Sequence, residues 1–271
     1  MSARINHVAI TSDHYAINAR FYQALFGMKT GNKPLPPARA ISIGDGYVGM
    51  THIPRRDGRT SGLDHFGIEV DDIEDAIARM QKFDSEALKR PPIRPYAAYS
   101  AHDPDTNIFD LSQRNIGFQK DVYADNSETD RAAPRTLSHI ALRTRNAERC
   151  AHFYAEVFGL PLLNRPSDDN YYLSDGRVTL IVIPWKIEDY YGMDPARTGL
   201  DHIGFKVESV EQVKKDLDFL IGENPHMHGR ALGHGSEGEA RLNLFKKCPL
   251  GCHHFTDIEG VYIDVANGEA N

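Results

Sequence analysis

Apolar and polar positions alternate through Ile5-Asn6-His7-Val8-Ala9-Ile10, so side chains two apart share a face and a strand is expected. The period then lengthens. Ile17, Phe21 and Leu25 recur every fourth residue and Gly27 follows as a stop, which predicts a helix. Ile73, Ala76, Ile77 and Met80 form a second helical stripe, and Ser209-Val210-Glu211-Gln212 has the spacing of a capping box leading into Val213, Leu217 and Leu220. Segments 39–53 and 170–184 read as pairs of short strands, joined at Gly44-Asp45-Gly46 and Ser174-Asp175-Gly176-Arg177. These stripes are core positions and carry no chemistry.

The pattern repeats. Ile5-Asn6-His7-Val8-Ala9-Ile10 returns as Leu137-Ser138-His139-Ile140-Ala141-Leu142, and Phe21-Tyr22…Phe26-Gly27-Met28 returns at the same offset as Phe153-Tyr154…Phe158-Gly159-Leu160. Gly62-Leu63-Asp64-His65-Phe66-Gly67 returns as Gly199-Leu200-Asp201-His202-Ile203-Gly204. The segment from Asp103 to Asp110 corresponds to that from Asp257 to Asp264, at a longer offset, so the second copy carries an insertion between Gly222 and Cys252. Each copy is itself doubled, giving four modules that start near residues 4, 62, 136 and 199, each a strand, a helix and then short strands. The expected fold class is α+β, with one domain over 1–118, a polar linker over 119–135 and a second domain over 136–271.

Composition narrows the picture a little. The chain has 271 residues, 41% hydrophobic and 25% charged, which is the balance of a globular protein. The most apolar stretch, Val178 to Trp185, is far shorter than the roughly 20 residues a membrane helix needs, and the N-terminus lacks an apolar signal core. A net charge of −7 points away from nucleic acid and anionic membranes as partners. Three irregularly spaced cysteines argue against a disulfide framework and for a reducing, cytoplasmic setting.

The four histidines that open the modules are the chemical signal. In His7-Val8-Ala9, His65-Phe66-Gly67, His139-Ile140-Ala141 and His202-Ile203-Gly204 each imidazole shares its strand face with a small residue, which leaves room where a packed core would be filled. A single strand histidine is more often a hydrogen-bonded core residue, and duplication copies residues whether or not they still function. The carboxylate that ends each copy tips the balance toward a metal. His7, His65 and Asp110 form one donor set, and His139, His202 and Asp264 the other. Two imidazoles and a carboxylate leave coordination positions open and suit Fe(II), with Mn(II), Ni(II), Co(II) and Zn(II) as alternatives.

At these residues the sequence resembles the vicinal-oxygen-chelate superfamily of glyoxalases, bleomycin-resistance proteins and extradiol dioxygenases. With four modules it is most similar to two-domain type I extradiol dioxygenases. The resemblance implies cupped, barrel-like mixed sheets and a metal in the C-terminal pair of modules, held by His139, His202 and Asp264, with His7, His65 and Asp110 as a second candidate site. It also implies a His and a Tyr beside the substrate. Gly229-Arg230-Ala231-Leu232-Gly233-His234 resembles the segment bearing that His, which makes His234 a candidate catalytic residue. His254, ten residues before Asp264, stands where the Tyr is expected and is the other candidate. The family's usual carboxylate is Glu, and its further active-site His has no match near Trp185. The cluster Cys248-Pro249-Leu250-Gly251-Cys252-His253-His254 lacks the usual zinc spacing and a second Cys pair, so a structural role is expected for its cysteines. Cys150 reads as an ordinary buried thiol.

The leading expectation is an Fe(II)-dependent extradiol dioxygenase that cleaves a catechol-like aromatic substrate with O2. A glyoxalase- or epimerase-type lyase or isomerase is the alternative, and a metal-free small-molecule-binding protein the third. Edge-strand pairing in similar proteins implies a homo-oligomer. Exchange of modules between the two halves, first with fourth, stays open.

Overall fold

The computed structural model describes residues 3–30, 40–84, 88–90, 97–114, 135–163, 168–186, 198–230, 239, 243 and 250–268. The first module runs β1 (Ala3–Ser12), α1 (Tyr15–Phe26), β2 (Lys29–Thr30), β3 (Ile41–Gly44) and β4 (Gly49–Pro54). The second runs β5 (Gly62–Val70), α2 (Ile73–Phe83), β6 (Leu88–Arg90), β7 (Tyr99–His102) and β8 (Ile108–Gln113). The third runs β9 (Thr136–Thr144), α3 (Ala147–Phe158), β10 (Leu162–Leu163), β11 (Tyr171–Ser174) and β12 (Thr179–Pro184). The fourth has β13 (Gly199–Val207), α4 (Val210–Glu223), a 3₁₀ turn at Pro225–Met227, β14 (His253–Thr256) and β15 (Tyr262–Asn267). Among the described residues it therefore shows two strands after its helix, where the other modules show three.

The strands form two mixed sheets in an α+β fold. One has the order β2-β3-β4-β1-β5-β8-β7-β6 and the other β10-β11-β12-β9-β13-β15-β14. In each, the two strands that open consecutive modules lie antiparallel at the centre, β1 on β5 and β9 on β13, with β4, β8, β12 and β15 parallel outside them. The sheets are curled but not closed. Each sheet is built from neighbouring modules, so the first is not exchanged with the fourth.

Local chemistry explains the helix limits. Gly27 and Gly159 adopt the left-handed conformation (φ 71° and 67°) that ends α1 and α3, each donating its N–H back into the last turn, to Gln23 and Ala155. Asp72 and Asn146 accept backbone N–H groups at the starts of α2 and α3. At α4 half of the capping box forms. Ser209 accepts from the Gln212 N–H at 3.2 Å, but the Gln212 amide donates to Asp216 instead of returning to the cap. The Asp45 and Asp175 turns form as expected, each carboxylate accepting two N–H groups of its own hairpin.

The helices lie between the two sheets, and each of the outer pair meets the other copy. Phe26 of α1 stacks on Phe205 of β13 with centroids 3.8 Å apart, while Phe153, Tyr154 and Phe158 of α3 pack on Phe66 and Phe109. Burying such a side chain contributes roughly 1.5–3 kcal/mol. Polar bonds follow the same two-fold logic. Tyr22 donates to Asp257 and Tyr154 to Asp103, while the Leu137 N–H donates to Asp45 and the Ile5 N–H to Asp175. Cys150 is buried beside Thr144, and burial pushes its thiol up. Among the described residues no helix is long and apolar enough to cross a membrane.

Candidate metal centres

The faces of the sheets turned away from the helices carry the histidines. In β1 the register shifts on both sides of His7 and Ala9, and in β13 on both sides of His202 and Gly204. Such bulges re-aim side chains. They set His7 against Gly67 and His65 against Ala9, with His139 against Gly204 and His202 against Ala141 in the second sheet. At Gly67 and Gly204 the missing side chain accommodates the neighbouring imidazole rather than open space. A Cβ on Gly67 would stand 2.0 Å from His7 Cε1, and one on Gly204 would stand 1.7 Å from His139 Cε1. Glycine here is a steric requirement of the histidine that crosses it.

Two clusters result, each of two imidazoles and a carboxylate, with donor atoms that all lie within 4.8 Å of one another. In the N-terminal sheet His65 Nε2 is 3.2 Å and His7 Nε2 3.8 Å from Asp110 Oδ2. In the C-terminal sheet His139 Nε2 is 3.3 Å from Asp264 Oδ2, and the His139 and His202 rings meet edge to face at 5.4 Å. All six residues are buried. A facial donor set around a divalent ion, with bonds of about 2.1 Å, separates neighbouring donors by about 3 Å. The pairs at 3.2 and 3.3 Å fit this closely, while His7 must move inward.

What surrounds the donors also fits a cation. Each imidazole engages the residue just before it through Nδ1. His65 meets Asp64 at 2.7 Å and His202 meets Asp201 at 2.8 Å, while His7 meets Asn6 at 2.8 Å and His139 meets Ser138 at 3.2 Å. The Asp and Asn contacts fix the tautomer that leaves Nε2 as the inward-facing lone pair. In the C-terminal cluster His139 Nε2 and both Asp264 carboxylate oxygens are buried without a hydrogen bond of adequate geometry, although they face one another. Burial pushes the Asp264 carboxyl up, but the facing His139 imidazole, together with His202 and His254, outweighs it and holds the group below its usual range. Three buried donors held this close, one each from His139, His202 and Asp264, are costly unless a cation sits between them.

The second oxygen of each carboxylate distinguishes the two centres. Ser100 lies across from Asp110 on β7 and donates to its Oδ1 at 2.8 Å. His254 holds the matching place on β14, its Nε2 3.3 Å from Asp264 Oδ1. Gly251 passes directly over the same carboxylate, where a Cβ would fall 1.0 Å from Oδ1, so the chain here brings bare backbone against a candidate ligand. Cys252 is exposed and free, and His253 is half-buried with burial lowering its basicity. His234 and Cys248 lie outside the described residues.

Beyond the donors the cups differ in character. Ala141, Tyr172 and Ile181 form an apolar wall in the C-terminal cup, with Ile183 and Leu250 packed against it. The Tyr172 hydroxyl donates to Asp168 at 2.7 Å. The corresponding strands of the N-terminal cup present Ala9, Ser42 and Thr51, whose hydroxyls are 3.3 Å apart. Sequence reasoning overlooked Tyr172 and the polar residues that precede each histidine. The latter were visible as Asn6-His7, Asp64-His65, Ser138-His139 and Asp201-His202.

A family model described as the Glyoxalase/Bleomycin resistance protein/Dioxygenase superfamily matches residues 4–111 and 136–224. No curated protein matches the sequence. Solved structures with a similar fold include the 2,3-dioxygenase LapB from Pseudomonas sp. KL28, at 18% identity and a TM-score of 0.61, covering 98% of this chain and 92% of that one. The Mn(II)-bound glyoxalase from Novosphingobium aromaticivorans aligns at 15% identity and a TM-score of 0.59, covering 97% and 81%. A mutant 4-hydroxymandelate synthase from Streptomyces coelicolor aligns at 13% identity and a TM-score of 0.59, covering 99% and 93%.

Proposed function

The chain belongs to the glyoxalase/bleomycin resistance protein/dioxygenase superfamily, and from that premise we propose that it is a metal-dependent extradiol-type dioxygenase. It cleaves the ring of a catechol-like substrate with O2, using His139, His202 and Asp264 as ligands to Fe(II). The observation that carries this reading is the buried cluster of His139, His202 and Asp264, whose donor atoms all lie within 4.8 Å of one another, beside an apolar wall with an aromatic member.

Bound there, iron(II) supplies a Lewis acid for two vicinal oxygens and a redox partner for O2. The protein's part is positional. Three donors on one side leave the opposite side open, so both reactants are held in one small volume. Tyr172, Ile181 and Leu250 give a flat apolar ring a surface to pack on and keep water from it. His254, half-buried with its Nε2 3.3 Å from Asp264 Oδ1, steadies the carboxylate and is the proton-transfer candidate within the cup. This differs from the Tyr that similar dioxygenases are expected to carry. His234 is the second proton-transfer candidate, on the resemblance alone.

The glyoxalase-like alternative needs the same ligands but no O2, and Mn(II), Ni(II), Co(II) or Zn(II) would serve it. Purification without air, elemental analysis and an oxygen-uptake screen with substituted catechols test the proposal. Iron with substrate-dependent uptake supports it. Conversion of a carbonyl substrate with no uptake moves the protein to the isomerase or lyase branch, and full ligand affinity without any metal leaves a binding protein.

A further inference from the structure

We infer that the N-terminal cluster of His7, His65 and Asp110 is a second divalent-cation site, filled alongside the C-terminal one and supported by its own polar framework. A relic of duplication would keep ligands by descent but would have no reason to keep them oriented. Here each ligand is oriented, two of the three by different chemistry from that of the other copy. Asn6 Oδ1 engages His7 Nδ1 at 2.8 Å, where the second copy uses the Ser138 hydroxyl on His139. Asn6 is fixed in turn by donating to the Ser112 hydroxyl at 3.2 Å. Ser100 donates to Asp110 Oδ1 at 2.8 Å, where the second copy sets His254. Asp64 takes the Nδ1–H of His65 at 2.7 Å, just as Asp201 serves His202. Two of the three supports have changed residue type between the copies while their contacts persist.

These contacts leave His7 Nε2, His65 Nε2 and Asp110 Oδ2 facing one point, all within 4.8 Å. Partners of this kind fix ligand tautomer and orientation, and removing one typically weakens metal binding about 10- to 100-fold. The cup around this point is hydroxyl-lined, by Ser42 and Thr51, where the other is apolar. The two centres therefore share a cation but do not offer the same surroundings to a further ligand.

The test is metal content and binding on the full-length protein. Apo protein is titrated with Mn(II), read by calorimetry and by the paramagnetic resonance of the free ion, for the wild type and for His7→Ala, Ser100→Ala and His139→Ala. The inference expects two equivalents in the wild type and one in each histidine variant. It expects Ser100→Ala to weaken one of the two by about 10-fold and leave the other unchanged. Ser100→Ala retains all six ligands, so it stays informative if a histidine variant fails to fold. A single equivalent lost with His139→Ala and indifferent to His7→Ala and Ser100→Ala overturns the inference while leaving the proposed dioxygenase intact. Two equivalents without oxygen uptake uphold it and remove the dioxygenase reading instead.

Discussion

The Tyr22 hydroxyl donates to Asp257 at 3.0 Å, joining the first module's helix to the last module's turn across 235 positions of sequence. Tyr154 and Asp103 repeat the bond at 3.1 Å from the other side. Both tyrosines belong to the repeated Phe-Tyr pairs and both aspartates begin the repeated terminal segments. The same carboxylates also accept backbone N–H groups, Asp257 from Glu259 and Val261, and Asp103 from Asp105 and Asn107. They shape the turns that deliver Asp264 and Asp110 to their strands, so the joint between the copies and the approach to each centre share one residue.

Removing either hydroxyl leaves a buried carboxylate short of a donor. Tyr22→Phe and Tyr154→Phe should each cost about 1–3 kcal/mol and lower the thermal midpoint by several degrees, with helix content unchanged by circular dichroism. The double variant should lose close to the sum, because the two bonds share no partner.

Burial raises Asp257 from 3.8 to about 6 despite its hydrogen bonds from Asn18, Val261, Tyr22 and Glu259. A carboxyl raised on folding binds its proton more tightly in the native state. Its contribution is thus fully present below the unfolded value and is lost as pH rises through the folded one. Denaturant unfolding of the wild type and Asp257→Asn from pH 4 to 7 should show the wild type's advantage shrinking by about 2 kcal/mol and levelling only near pH 7. An advantage that grows with pH would contradict the assignment.

Gly204 gives way to the His139 ring, and any side chain there would stand inside it. Gly204→Ala should leave a folded protein that has lost the C-terminal metal, seen as one equivalent fewer by elemental analysis. Gly67→Ala should do the same to the N-terminal site, by displacing His7.

The apolar wall should act on substrate rather than on metal. Ile181→Thr introduces the residue type that the other copy carries at Thr51. It should raise KM for an aromatic substrate about 10-fold, equivalent to roughly 1.4 kcal/mol, with metal content and kcat little changed.

Much of this architecture was legible because duplication wrote it twice. The alternation around His7 and His139, the stop at Gly27 and Gly159, and the paired turns at Asp45 and Asp175 are local signals, and local signals survive in a single sequence. The pairing of β1 with β5 was not readable, because sheet neighbours are set by contacts between distant parts of the chain. Small residues leave room beside the histidines along their own strands, but at Gly67 and Gly204 that room is filled by the histidine of the adjacent strand, a contact that depends on register. Tyr172 escaped notice for the same reason, since only cross-strand pairing with Ile181 brings it to the cup.

The central claim is that His139, His202 and Asp264 hold a metal that performs ring cleavage with O2. The most direct test is turnover of a catechol under ¹⁸O₂ by the iron(II)-loaded protein, followed by mass spectrometry of the product. The account predicts two ¹⁸O atoms in a ring-opened product, one O2 consumed per substrate, loss of turnover in Asp264→Ala, and its persistence in His7→Ala. Turnover without labelled oxygen, or labelled product that survives Asp264→Ala, would contradict it.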